Sequence, residues 1–134
     1  MDEAVDELRV RTLRLATGTH LLSISEPGAV LPSLLQVLEH VPRHEDILLN
    51  LEGATRVEAA LAHAAIARSR RVRESARPLF VVSDDETLRL LLDWSGLERQ
   101  VLIEPSLEDA LRFFVGSRWL STFAEVGAYA STSP

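Results

Sequence analysis

A 134-residue chain with 46% hydrophobic residues is long enough to bury one core without covalent staples. The absence of cysteine excludes disulfides, thiolate zinc sites and cysteine nucleophiles. A net charge of −6 with only 5% aromatic residues argues against nucleic acid as a partner, because phosphates call for a basic footprint and bases for stacking platforms.

Residues 1–7 are polar and read as a flexible N-terminus, and the acidic start "MDEAVDEL" has the wrong sign for a signal peptide. No run reaches the roughly 18 apolar residues of a membrane helix. The expected location is therefore cytoplasmic, with no direct membrane insertion. "LRVRTLRLA" (8–16) alternates imperfectly: Leu8 and Val10 share one side, Leu13 and Leu15 the other. Apolar residues that change faces midway predict a strand with a bulge or at an edge. "THLLSISE" (19–26) predicts a second strand, paired with the first as a hairpin across Gly18. Pro27-Gly28 ends it. "AVLPSLLQVLEHV" (29–41) predicts an amphipathic helix from Leu31, Leu34, Leu35 and Leu38, with Pro32 in its first turn and Pro42 as its stop. "DILLNLE" (46–52) carries the continuous apolar run of a strand covered on both faces.

A continuous helix is then predicted over "VEAALAHAAIARSRRVRE" (57–74), its last turns carrying Arg68, Arg70, Arg71 and Arg73 against the negative end of the dipole. These arginines read as a solvated helix end. "PLFVVS" (78–83) is the next buried strand. Ser83 and Glu86 have capping-box spacing ahead of the helix "ETLRLLLDWS" (86–95), which Gly96 is placed to close. "QVLIE" (100–104) is another strand, and Ser106 with Asp109 gives a start signal for "LEDALRFFVG" (107–116). Alternating strands and helices from residue 47 predict an α/β fold in a single domain. Its sheet is mixed and mainly parallel, with about five strands and about four to five helices. Trp119, Phe123 and Tyr129 lie beyond it, where they would dock back as an extra helix or offer a homodimer surface.

This order, with three local signatures, resembles the STAS domain, the anti-sigma-factor antagonist family. "ILLNLEGATRVEAALA" is similar to the family's strand and loop before its acceptor serine. "PLFVVSDDETLRLLL" is similar to the strand and helix that follow, and "LLLDWSGLERQVLIEPSLEDAL" to the family's ending, with Ser95-Gly96-Leu97 and Ser106-Leu107-Glu108-Asp109-Ala110-Leu111 at the family's separation. The resemblance implies a STAS-like domain over 8–116 and leaves 117–134 as a C-terminal extension. In that family a kinase-type anti-sigma factor phosphorylates a serine at the start of the second helix, and the added charge ends the complex. Here Asn50-Leu51-Glu52 falls on the element before the loop, and Glu58 on the acidic residue before the acceptor. Ala59 falls on the acceptor itself, Ala60 on the serine after it, Leu61 on the glycine and Ala62 on the leucine. The family's phosphosite is therefore missing. Thr55 is the nearest hydroxyl, and reads first as a loop residue bonding its own backbone.

The implied activity is a non-catalytic regulatory module of bacterial signalling and transcription control, with no cofactor. It would bind a protein partner, an anti-sigma factor or a similar signalling protein, through Gly53, Ala54, Thr55, Arg56, Glu58, Ala59, Ala60 and Ala62. The alternatives are a cytoplasmic STAS subunit of a membrane transporter complex and a stressosome-like scaffold or dimeric structural protein. Sharper chemistry finds little in the residues. His40 and His44 stand four apart but with Pro42 between them, and His20 and His63 are isolated, so no tetrahedral zinc set assembles. "SDDE" (83–86) reads as an acidic helix start rather than a metal site. "EGATR" (52–56) lacks the glycines of a phosphate loop. The sequence offers no nucleophile–base pair.

Overall fold

The computed structural model describes residues 7–14, 18–24 and 31–110. Five strands, β1 (Val10–Arg14), β2 (His20–Ile24), β3 (Ile47–Asn50), β4 (Leu79–Val82) and β5 (Val101–Glu104), form one sheet in the order β1-β2-β3-β4-β5. β1 runs antiparallel to β2, and every other neighbouring pair is parallel. Helices α1 (Leu34–His40), α2 (Arg56–Arg68), α3 (Arg70–Glu74) and α4 (Glu86–Trp94) fill the connections, and residues 107–110 turn into helix after β5. The fold is thus α/β with a mixed, mainly parallel sheet, as the alternation predicts.

Strands that follow one another across the sheet, joined by right-handed crossovers, put their helices on one face. The main core lies there. Val10, Leu22, Ile47, Leu49 and Val81 from the strands meet Leu34, Leu38, Ala59, Ala62, Ile66, Leu88 and Leu92 from the helices. Ala59, Ala62, Ala65 and Ile66 recur at helical spacing, and the small alanine side chains let α2 sit close to the strands. On the opposite face Leu48 and Val82 pack with Leu21, Phe80, Leu107 and Ala110. β3 is buried on both faces, as its unbroken apolar run requires. β1 explains its own irregular pattern: it is an edge strand in which Val10 is buried and Arg11 to Arg14 are exposed.

Three helix boundaries differ from expectation. α1 is capped by Ser33, whose side chain accepts the Gln36 N–H, so Pro32 precedes the cap instead of occupying the first turn. The long helix expected over 57–74 breaks at Ser69, which ends α2 and caps α3 by accepting the Val72 N–H at 3.1 Å. The cap of α4 is Asp85, which accepts the Thr87 N–H at 2.7 Å, while the Ser83 hydroxyl accepts the Asp85 N–H in the approach. Gly96, at φ +74°, closes α4 as placed, and the Leu97 N–H returns to the Leu92 carbonyl. Ser106 accepts the Asp109 N–H at the start of the turn over 107–110. The Pro27-Gly28 break, the helix beyond residue 110 and the aromatic residues Trp119, Phe123 and Tyr129 lie outside the described residues.

The arginine run is not uniformly solvated. Arg71 is 2% exposed, and its guanidinium donates to the carbonyls of Val41 at 3.3 Å, of Pro42 at 2.9 Å and of Glu45. A planar fork with five donors suits three converging carbonyls, so α3 pins the loop between α1 and β3. Arg77 adds an ion pair to Asp46 at 2.9 Å.

Candidate functional site

The β3–α2 junction, where the resemblance points, is built by local hydrogen bonding. Asn50 ends β3 and its side-chain oxygen accepts the Glu52 N–H at 3.0 Å, turning the chain out of the sheet. Leu51 stays in the core, its N–H donating to the Val82 carbonyl at 2.8 Å. Gly53 then takes φ +83°, a left-handed conformation that side chains with a Cβ resist. Thr55 and Glu58 form a capping box: the Thr55 hydroxyl accepts the Glu58 N–H at 3.1 Å and a Glu58 carboxylate oxygen accepts the Thr55 N–H at 2.8 Å. Thr55 therefore bonds local backbone, and Glu58 is half-buried and engaged rather than a free charge.

The predicted surface divides in two. Gly53, Thr55, Arg56 and Ala60 are exposed, and Ala54 is half-buried. Ala59 and Ala62, expected to face a partner, are 1% and 0% exposed and belong to the core stripe of α2. This is a correction: the position that the resemblance gives to the acceptor points at the sheet, where neither a partner nor a kinase meets its side chain. Val57, on the side of α2 away from the sheet, is 65% exposed and joins the outward patch. Its signal was its position out of phase with the alanine stripe.

Carboxylates gather around the junction, because the C-terminal ends of the parallel strands carry Glu52, Asp84, Asp85 and Glu104. Glu52 reaches the Leu107 N–H at 3.4 Å, linking this loop to the segment after β5. Arg56 stands beside them as an exposed cation. Two clefts, of about 350 and 300 Å³, lie against α1 rather than at the junction; Leu8, Leu61 and Arg68 line the first, and Thr12, His20 and His40 the second.

At the opposite end of the strands Glu45 accepts from Arg14 at 2.8 Å and contacts His20 at 2.6 Å. The Arg14 hydrogen bond, then that of His20, hold its carboxyl down at about 2. The Glu45 side chain is only 11% exposed, so this cluster ties the edge hairpin to the loop that Arg71 pins. His44 Nε2 also lies 3.6 Å from Glu45. His40 Nδ1 lies 2.7 Å from the Gln36 carbonyl, and among the described residues no three metal-type side chains converge. His63, isolated in sequence, is not isolated in space: its Nε2 lies 2.7 Å from Ser95 Oγ across the α2–α4 contact. Sequence reasoning missed this pairing of a hydroxyl with a base, because the residues are 32 positions apart and Ser95 read only as part of the helix-ending Ser95-Gly96-Leu97 signature.

Compared with known proteins, the chain matches no family model, no curated relative and no solved structure, so its functional reading rests on the geometry of these residues.

Proposed function

We propose that the protein is a non-catalytic, protein-binding regulatory module like the anti-sigma-factor antagonists, one whose β3–α2 junction docks a signalling partner without a phosphate gate. The observation that carries this reading is the junction's construction. A core alanine, Ala59, stands where the resemblance puts the acceptor, while Gly53, Thr55, Arg56, Val57 and Ala60 are exposed around a capped helix start. A phosphate ends docking by adding charge that must be desolvated. A chain with no hydroxyl at that position gains no phosphate charge there. Partner selectivity then comes from Arg56 and the surrounding carboxylates, since charge arrangement across an interface sets specificity and encounter rate.

The test is an affinity pull-down from the native cytoplasm with wild-type protein beside Ala60→Glu and Arg56→Glu. Both positions are exposed, so both variants keep the fold. Retention of a signalling partner by wild type and its loss with either new charge is the expected result. Identical partners for all three proteins, or none for any, would place the function elsewhere.

A further inference from the structure

His63 and Ser95 form a nucleophile–base pair that the proposed docking role does not use. The imidazole Nε2 lies 2.7 Å from Ser95 Oγ across the contact between α2 and α4. In the tautomer that carries its proton on Nδ1, Nε2 accepts from the serine hydroxyl. A hydroxyl within hydrogen-bond reach of a neutral imidazole is the pairing that activates a serine. Desolvation lowers the His63 pKa, which keeps the ring in its neutral, proton-accepting form. Ser95 is exposed, and the adjoining Gly96 has open space around its Cα. Leu90 and Trp94, 62% and 91% exposed, lie one helical turn apart on α4, and Trp94 directly precedes the serine in the chain. Exposed apolar residues aligned this way provide a track for an acyl chain.

We propose that Ser95 is an acyl-acceptor serine, activated by His63, that takes an acyl group from a thioester or similarly activated ester. Ser95 Oγ attacks the acyl carbon while its proton passes to His63 Nε2. The tetrahedral adduct collapses, the bond from the acyl carbon to the leaving thiol or alcohol breaks, and His63 returns the proton to that leaving group. The product is a serine ester, with no change in oxidation state. The N–H groups of Ser95, Gly96 and Leu97 are all committed to α4 carbonyls, at 3.0, 3.1 and 2.9 Å, so no backbone donor among them receives the oxyanion. The donor must therefore be activated, and the ester persists instead of turning over. The structure assigns a modification site, not a hydrolase.

The chain contains no lysine and no cysteine, so the competing nucleophiles are the α-amino group, the histidine rings and Tyr129. The full chain is incubated with p-nitrophenyl acetate or p-nitrophenyl hexanoate, and adducts are located by intact-mass and peptide mass spectrometry. One acyl group on Ser95 is expected, absent in Ser95→Ala. His63→Gln retains a hydrogen-bonding side chain without the basicity, and it is expected to label roughly a hundredfold more slowly at an unchanged melting temperature. The hexanoyl ester should label faster than the acetyl ester in wild type, with that preference lost in Trp94→Ala. Labelling confined to the N-terminus, or equal rates at Ser95 in wild type and His63→Gln, would overturn the assignment.

Discussion

Arg71 shows how one side chain can hold a loop that its own element never enters. Its guanidinium is buried, which lowers its pKa, and it satisfies carbonyls at Val41, Pro42 and Glu45. Arg71→Ala leaves those acceptors without their charged donor and opens a cavity. The expected loss is about 2–4 kcal/mol in urea denaturation, with Arg71→Lys recovering less than half because a point charge cannot serve three directions. Glu45 gives the fold its sharpest acid dependence. Its carboxyl pKa is depressed to about 2 in the folded state, below the ordinary 4.5, through hydrogen bonds from Arg14 and His20. A depressed folded pKa contributes stability that is fully present above the unfolded value and lost as pH falls through the folded one. Thermal melts of wild type should therefore lose stability between about pH 4.5 and 2. Glu45→Gln should be less stable at pH 7 and flatter across that window; a parallel acid response in both proteins would remove Glu45 from this role. None of this was legible in the chain, since Arg71 reads as one more arginine of a helix end, and Glu45 as a loop carboxylate 31 residues from Arg14.

At the scale of elements, most start and stop signals were informative to within a residue or two; the start of α1 fell five residues late, and at Ser69 and Asp85 a competing side-chain acceptor set the boundary. Ser69 looked like an interior residue of a long helix. Its side chain instead accepts the Val72 N–H, and the backbone there is extended at φ −78°, ψ 121°. Ser69→Ala should cost about 1 kcal/mol by removing this buried cap. Asp85 took the capping role that spacing gave to Ser83, for the same reason: two adjacent acceptors can each close the turn, and only geometry chooses. In the junction loop Gly53→Ala meets no neighbour within 4 Å, so its penalty is conformational alone, about 1–2 kcal/mol in a thermal melt. Strand positions were legible throughout, because buried parallel strands carry unbroken apolar runs. The burial of Ala59 was legible too, in the spacing of Ala59, Ala62 and Ile66, but alignment to a surface motif hid it.

For the molecule as a whole, the sequential strand order decides which positions tolerate change. Helices α1, α2 and α4 share one face of the sheet, so α2 is flanked on both sides and seated on the strands by its alanines. Ala59→Glu buries a carboxylate at a position 1% exposed and should yield little folded protein, whereas Ala60→Glu, one residue on, should keep a near wild-type circular dichroism spectrum and melting temperature. Equal behaviour of the two variants would contradict the orientation of α2. The architecture itself followed from alternation of strand and helix. The docking surface did not, because exposure depends on how far each helix is rotated about its axis.

The two ends of this sheet also differ in how they would meet another chain. β1 presents Arg11 and Arg14 along its outer margin, so two copies aligned edge to edge would bring like charges together. β5 carries a single charge, Glu104, within its four residues, Val101–Glu104, and adds brevity and Pro105 immediately after it. Arg11→Val, which lies far from the junction and leaves Glu45 its partners, is therefore the substitution expected to raise light scattering on gentle heating, because it turns the protected margin into a template for aggregation.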